Sequence, residues 1–213
     1  EEVTLAEALR ESGYKTALYG KWHLGAHQDV GPKCQGFDQF FGIRDGFIDN
    51  HTHFFLHGNG FHDLFEGTTE VFHSDAFFPD LMVNRSLSFL DDQAENGNDE
   101  PFFLYTAFNI PHYPEQAFER HLKMYEGVEE PRQSYGAFVT TTDEYIGKIL
   151  KKLDQTGLRD DTIVLFVSDN GHSAEDYKIK TDDHSSGYPK GHNYGANGGG
   201  GNLDGTRNDR LRY

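Results

Sequence analysis

The sequence predicts a parallel α/β fold, and three observations support this class. Two unbroken apolar runs, residues 102–108 and 162–167, have the composition of strands that are buried on both faces of a sheet. Between them, apolar residues recur at spacings of three and four over residues 135–153, which predicts a long amphipathic helix ending at Gly157. The order strand, loop, helix, strand is typical of a parallel sheet covered by helices.

The first element is predicted to be a helix over residues 4–12. Thr4 is a suitable N-cap, Glu7 three residues later completes a capping box, and Gly13 provides the C-terminal stop. The expected apolar face of this helix consists of Leu5, Ala8 and Leu9. A short strand over residues 16–19 should follow.

The middle of the chain alternates loop and helix. Residues 22–74 are rich in Gly, Asp, His and Phe without a sustained period, so we predict a long, mostly ordered loop. Residues 77–90 carry an apolar stripe that predicts a helix, and the polar run 91–100 should end it as a surface turn.

Composition narrows the classes of partner. The 213 residues carry 35 acidic and 19 basic side chains, a net charge of −16, which argues against binding to nucleic acid. No stretch is long and apolar enough for a membrane span, and Glu1 and Glu2 do not begin a signal peptide, so the compartment stays open. Cys34 is the only cysteine, which excludes an internal disulfide and a zinc cluster built from thiolates of this chain.

Polar residues follow three of the predicted strands, at 20–23, 109–112 and 168–171. The carboxyl ends of parallel strands share one edge of a sheet, so we expect these three tips to converge on a ligand site. Lys21 and His23 alternate around one residue and would point to the same side, as suits a tetrahedral anion. The alternative is a solvated strand end with an ordinary loop histidine.

The other two tips also permit two interpretations. His112 lies between two prolines, which would fix its direction as a general acid or anion-binding group, or would simply make a rigid surface turn. Asp169 and Asn170 offer adjacent oxygen ligands suited to calcium or magnesium, although Asp-Asn-Gly is also a common turn sequence.

Taken together, these motifs resemble those of the sulfatase family. Residues 13–25 are similar to that family's second signature, in which Gly-Tyr precedes a strand ending in Gly-Lys-x-His. Residues 36–42 look like its Gly-Phe-Asp segment, residues 111–114 like its Pro-His-x-Pro, and residues 168–171 like its metal-binding Asp-Asn-Gly. The matches follow the family's order and extend to about residue 202.

The resemblance implies an α/β fold of the alkaline-phosphatase-like sandwich type, with a mostly parallel central sheet that is incomplete at both ends of this chain. Residues 1–202 would be the central part of a sulfatase catalytic domain. The implied reaction is hydrolysis of a sulfate ester, of a small molecule or glycan, beside one bound Ca²⁺. Secreted or periplasmic location would be usual for the family.

Site roles follow from the same resemblance, position by position. Lys21 and His112 would bind sulfate oxygens, with His112 or a neighbouring residue protonating the leaving alcohol. His23 would hydrogen-bond the nucleophile. Asp169 and Asn170 would ligate the calcium ion.

Two departures from the family pattern limit what the chain can do alone. The family's formylglycine nucleophile, made in a Cys/Ser-x-Pro-x-Arg motif, and an Asp pair for the metal belong ahead of this region and are absent. Cys34 lacks the Pro and Arg of that motif. We therefore expect an internal fragment that is inactive in isolation. Residues 203–213 lack the family's second substrate lysine and are predicted to be an atypical tail.

Two other functions compete with sulfate ester hydrolysis. A phosphatase or phosphodiesterase of the same superfamily would share the fold and metal ligands, although the pairing of Lys21 with His23 favours sulfate. Alternatively, the chain is a non-catalytic module that binds a divalent ion or a sulfated glycan, because its nucleophile is absent.

Overall fold

A computed structural model describes residues 2–56, 61–74, 76–95, 100–130 and 132–169. In these ranges the chain forms four α-helices and five β-strands. The elements in chain order are α1 (Leu5–Glu11), β1 (Lys15–Lys21), β2 (Gln39–Ile43), β3 (Phe65–Glu66), β4 (Thr69–Glu70), α2 (Phe78–Glu95), β5 (Phe102–Ala107), α3 (Glu119–Met124) and α4 (Arg132–Thr156).

The strands form one mixed, open sheet in the order β4-β3-β2-β1-β5. β1 pairs in parallel with β2 on one side and with β5 on the other, whereas β3 and β4 add antiparallel pairs at the far edge. The expected parallel α/β core is therefore present, with a short antiparallel extension. Parallel pairing brings the carboxyl ends of β1, β2 and β5 to one edge.

Each face of the sheet is covered by its own core. α2 and α4 pack on one face, where Tyr19 and Phe41 meet fully buried helix residues such as Phe78, Phe89 and Phe138. The opposite face holds a smaller cluster that consists of Ala6, Leu18, Phe37, Phe40 and Ala107. β1 is thus buried on both sides, as its burial pattern from Thr16 to Gly20 confirms.

The prediction of α1 is confirmed at its start and corrected on its face. The Thr4 side chain accepts a hydrogen bond from the Glu7 amide, and the Glu7 carboxylate accepts one from the Thr4 amide. Such a cap stabilises a helix by about 1 kcal/mol. The buried residue is Ala6, however, and Leu5 is exposed. The backbone at Ala6 packs so closely against Gly36 that residue 36 has no room for a side chain, and Ala6 therefore faces the sheet.

The long helix α4 forms as predicted, and its buried face coincides in part with the predicted stripe. Phe138 of that stripe is fully buried, whereas Val139 is exposed, and Ala137, Thr141 and Tyr145 are fully buried as well. The two polar residues can be buried because each has a hydrogen-bond partner. The Thr141 hydroxyl donates to the Ala137 carbonyl, and the Tyr145 hydroxyl donates to Asp80 of α2 at 2.7 Å.

Two strand predictions are wrong in part. β5 is the edge strand of the described sheet, so it is half-buried and Tyr105 is 45 % exposed, rather than buried on both faces. Residues 162–168 form no strand at all. Ile163, Leu165 and Phe166 are more than 80 % exposed, because no strand among the described residues lies beside them to accept their hydrogen bonds.

The region predicted as a long loop contains more regular structure than expected. β2, β3 and β4 lie within residues 22–74, and β2 is a core strand with four of five residues buried. The helix predicted over 77–90 also continues to Glu95, past the start of the polar run. Residues 96–99 of the predicted surface turn, and residues 170–213, which include the predicted atypical tail 203–213, lie outside the described residues.

Gly20 lies where β1 packs very closely against β5. It has φ 129°, a conformation that side chains rarely adopt, and a Cβ there would lie 1.9 Å from the carbonyl oxygen of Ala107. β1 and β5 can approach this closely only because residue 20 has no side chain. Lys21, the next residue, is positioned by this contact.

We predict that Gly20→Ala destabilises the chain far more than Gly13→Ala. Gly13 also has positive φ, but nothing lies within 4 Å of its missing Cβ. Its substitution should therefore cost about 1 kcal/mol, from backbone strain alone, whereas Gly20→Ala should cost about 3 kcal/mol or more because strand backbones must separate. Urea unfolding of both variants measures the difference, and equal losses would contradict the close approach.

Candidate active site

The candidate site lies at the carboxyl ends of β1 and β5. Lys21 is the last residue of β1, His23 follows two residues later, and His112 lies on the turn after β5. The structure brings these three side chains close enough for Lys21 to lower the pKa of both histidines and for His23 to lower the pKa of His112. Asp169 joins them, although the residues before it form no strand.

His23 is held by the loop that follows β2. Its amide donates to the Arg44 carbonyl at 3.1 Å, which continues the pairing of β1 and β2 past the strand ends. Its backbone has φ 54°, unusual for a residue with a side chain and common at functional sites. A Cβ on Gly46 would lie 3.0 Å from Nε2 of His23, so a larger residue at 46 would displace the ring.

His112 lies on a tight turn between two prolines. The peptide bonds Ile110–Pro111 and Tyr113–Pro114 are both cis. Nδ1 of His112 lies 2.8 Å from the carbonyl oxygen of Tyr113, to which it donates. The ring of Phe47 stacks on the imidazole, with centroids 5.3 Å apart and an interplanar angle of 17°.

The turn that carries His112 is anchored by a buried polar network. Gln116 donates to Asp49 at 2.6 Å and accepts from the Asn50 amide at 2.8 Å. Asn109 donates to the side-chain oxygen of Asn50 at 2.7 Å. Asp49 and Asn50 are fully buried, so the network joins the loop after β2 firmly to the segment after β5.

The charges of the site act in opposite directions on its histidines. Partial burial lowers the pKa of His23, Lys21 lowers it further, and Asp45 and Asp169 raise it. Loss of hydration lowers the pKa of the His112 ring, the hydrogen bond to Tyr113 raises it, and the charge of Lys21 lowers it. Burial also lowers the pKa of Lys21, whereas Asp169 and Asp45 raise it. The site thus favours less positive charge until an anion binds.

Asp45 is a site residue that sequence reasoning missed. It follows β2, whose existence was not predicted, so its strand-end position was not recognised. The buried Asp63 fixes it, because one carboxylate oxygen accepts from the Asp45 amide at 2.9 Å and the other from the Arg44 amide at 3.0 Å. Burial raises the pKa of Asp63. The signal available was a polar Arg-Asp-Gly tip directly after an apolar run.

The metal site expected from the sequence is described only in part. Asp169 is exposed and lies among the charged groups of the site. Asn170 lies outside the described residues. Within those residues, no group of three His, Cys, Asp or Glu side chains is arranged to hold a metal ion. Further ligands for Asp169 would have to come from elsewhere in the protein.

A separate cavity of about 330 Å³ lies between the start of β2 and α2. Its lining includes Gln39, Arg85 and Asp92 but not Lys21 or His112. This cavity is therefore distinct from the cluster of Lys21, His23 and His112.

We predict that Lys21→Met raises the pKa of both His23 and His112. Lys21 lowers the pKa of each ring in the native chain, so its removal should favour protonation. Asp45→Asn should act in the opposite direction on His23, because Asp45 raises its pKa. Titration of imidazole resonances by NMR measures both shifts. Lys33→Met, which alters a lysine bonded to the Asp38 carbonyl instead, serves as the control; equal shifts in both lysine variants would contradict the geometry.

Comparison with known proteins places this geometry in a family. The sulfatase family model matches residues 1–206. Arylsulfatase J of Mus musculus is 32 % identical over 177 residues, which cover 80 % of this chain and 29 % of that protein. The ulvan-active sulfatase of Formosa agariphila is 31 % identical over 192 residues, covering 80 % and 35 %. N-acetylgalactosamine-6-sulfatase of Homo sapiens is 33 % identical over 181 residues, covering 80 % and 33 %.

Solved structures agree with this assignment. The crystal structure of Ps i-CgsB in complex with k-i-k-neocarrahexaose is 26 % identical, with a TM-score of 0.67 over 92 % of this chain and 44 % of that one. A putative sulfatase, yidJ of Bacteroides fragilis, shares the fold with a TM-score of 0.63 and 23 % identity, over 78 % and 43 %.

Two facts qualify the extent of the match. The chain spans about a third of the length of the curated relatives named above. Among the helices of the described residues, none has the length and apolar character needed to cross a membrane.

With the family model matched from residue 1 to residue 206 and the fold shared with solved sulfatases, the chain belongs to the sulfatase family.

Proposed function

We propose that the longer protein containing this chain hydrolyses sulfate esters, and that this chain supplies its sulfate-binding groups. The observation that carries the proposal is the convergence of Lys21, His23 and His112 at the carboxyl ends of β1 and β5, in a member of the sulfatase family. A sulfuryl group in transfer spreads negative charge over its oxygens, and preorganised cations stabilise that charge. The substrate would be a sulfate ester of a glycan or a small alcohol.

Each side chain has a role that fits its surroundings. Lys21 is half-buried at a strand end and would bind a sulfate oxygen through Nζ. His112 donates through Nδ1 to a carbonyl, so Nε2 is the atom that would contact the sulfate and protonate the leaving alcohol. A bound anion would raise the pKa of both histidines and favour the protonated rings that this role requires. His23 would hydrogen-bond the nucleophile.

The net charge of −16 does not oppose this role. Anion binding depends on the local field, and Lys21 and the two imidazoles provide positive charge at one edge of the sheet. Asp45 and Asp169 raise the pKa of Lys21 and of His23, and so favour the positively charged forms of both groups against the effect of burial.

We also propose that Asp169 and Asn170 provide part of the ligand set of one Ca²⁺. Carboxylate and amide oxygens are the ligands that calcium prefers, and the position of Asp169 beside Lys21 and His23 supports this. When bound, the ion would polarise the sulfate, and a formylglycine contributed by another part of the protein would supply the attacking oxygen. The chain's own residues bind and orient the substrate and donate the proton.

We predict that the full-length protein hydrolyses 4-nitrophenyl sulfate and that Lys21→Met lowers its kcat/KM by about 100-fold or more. Lys33→Met should leave the rate unchanged, because this lysine bonds to the Asp38 carbonyl. The 213-residue chain alone should show no turnover. Release of 4-nitrophenol measures the rate of the full-length protein, of its two lysine variants and of the isolated chain. Preferential hydrolysis of 4-nitrophenyl phosphate would replace the proposal with a phosphatase.

Calcium binding is tested separately by calorimetry on the chain itself. We expect Asp169→Ala to weaken calcium affinity by at least about tenfold, as loss of a metal-site interaction does. Asp161→Ala is the matched control, since this acid lies on the short helical turn Arg159–Asp161 before the site. Unchanged affinity in Asp169→Ala would remove this residue from the metal site.

A further inference from the structure

The His112 ring lies beside the ring of Tyr113, its neighbour in sequence, with centroids 4.5 Å apart, and it also contacts two further groups. The first is the carbonyl oxygen of Tyr113, 2.8 Å from Nδ1. A carbonyl can only accept, so Nδ1 carries the proton in this arrangement. Nε2 is then an acceptor in the neutral ring and a donor in the charged ring. The bond survives only while the ring keeps its orientation.

The second group is the Phe47 ring, which comes from the loop after β2 and lies almost parallel to the imidazole at 5.3 Å. Phe47 is itself held from other sides. It stacks on Phe55 with centroids 5.1 Å apart and contacts Tyr113 at 4.8 Å. The Phe47 ring cannot move away from His112 without losing contacts to these two rings as well.

The backbone that carries Phe47 is joined to the turn that carries His112. Asp49 and Asn50, just after Phe47, bind Gln116 beyond the turn and Asn109 before it. The bond from Asn109 is buried and the two bonds to Gln116 are partly buried, and an unpaired buried partner would be costly. Phe47 and the His112 turn therefore belong to one rigid unit, although more than sixty residues separate them in sequence.

We propose that Phe47 is a positioning residue for His112. It covers one face of the imidazole and keeps the ring in the orientation in which Nδ1 donates to Tyr113 and Nε2 faces the substrate. The proposal rests on the proposed role of His112 at the sulfate ester, whereas the ring geometry can be measured without any turnover. Supporting contacts of this kind hold a catalytic group within the narrow range of geometry that proton donation needs.

The first test measures the His112 tautomer by ¹⁵N NMR in the 213-residue chain. The native chain should show the Nδ1–H form of the neutral ring and nuclear Overhauser contacts between His112 and Phe47. Phe47→Leu keeps apolar volume but removes the flat ring face, so both tautomers should appear. Phe47→Tyr keeps the ring and should restore the single tautomer.

Phe61→Leu is the matched control. Phe61 stacks on Phe55 with ring centroids 5.0 Å apart and is 46 % exposed. It belongs to the same aromatic group as Phe47, but its ring does not stack on that of His112. It should leave the tautomer unchanged. If Phe47→Leu does not fold, Phe47→Met repeats the test with a more adaptable side chain. A single Nδ1–H tautomer in the folded Leu or Met variant would overturn the proposal.

The second test uses the full-length protein with an aryl sulfate. Phe47→Leu should lower kcat by about tenfold or more with little change in KM, the size of effect seen when a supporting contact is lost. A mixed tautomer with unchanged kcat would also overturn the positioning role. If the native full-length protein hydrolyses no sulfate ester, the proposed function fails, and the tautomer measurement still decides whether Phe47 orients the ring.

Discussion

The parallel pairing of β1 with both β2 and β5 is the constraint on which the rest of the structure depends. It requires the backbones to approach so closely at Gly20 that no side chain fits. The parallel pairing also determines which residues meet at the carboxyl edge of the sheet. These residues are Lys21 and His23 at the end of β1, Asp45 after β2, and His112 after β5. The order of the strands thus brings together one lysine, two histidines and one aspartate from three segments that are far apart in sequence.

The parts of the fold that depend on local chemistry were predictable from the sequence. Thr4 and Glu7 define the start of α1, and a 3.6-residue period defines α4, because caps and periodicity act over a few residues. Burial was less predictable. Thr141 and Tyr145 are buried because partners on other elements satisfy them. β2 was missed because its five residues are too short to show a period.

The candidate site divides in the same way. Lys21, His23 and His112 could be selected because each ends a motif, and their convergence follows from a parallel sheet. Asp45 and Phe47 could not be selected. Asp45 raises the pKa of His23, and the Phe47 ring stacks on His112 across the sheet edge. The intervening sequence carries no sign of either interaction. Such supporting residues become visible only when the loops are in place.

The exposed run Ile163–Val167 has a practical consequence for handling the chain. It is apolar, rich in β-branched residues, without proline and exposed, and the edge strand β5 of the sheet is half-exposed as well. Segments of this composition form intermolecular β-structure when they are accessible. We expect the isolated chain to self-associate through this run in concentrated solution, and a charged substitution at Leu165 should reduce that association.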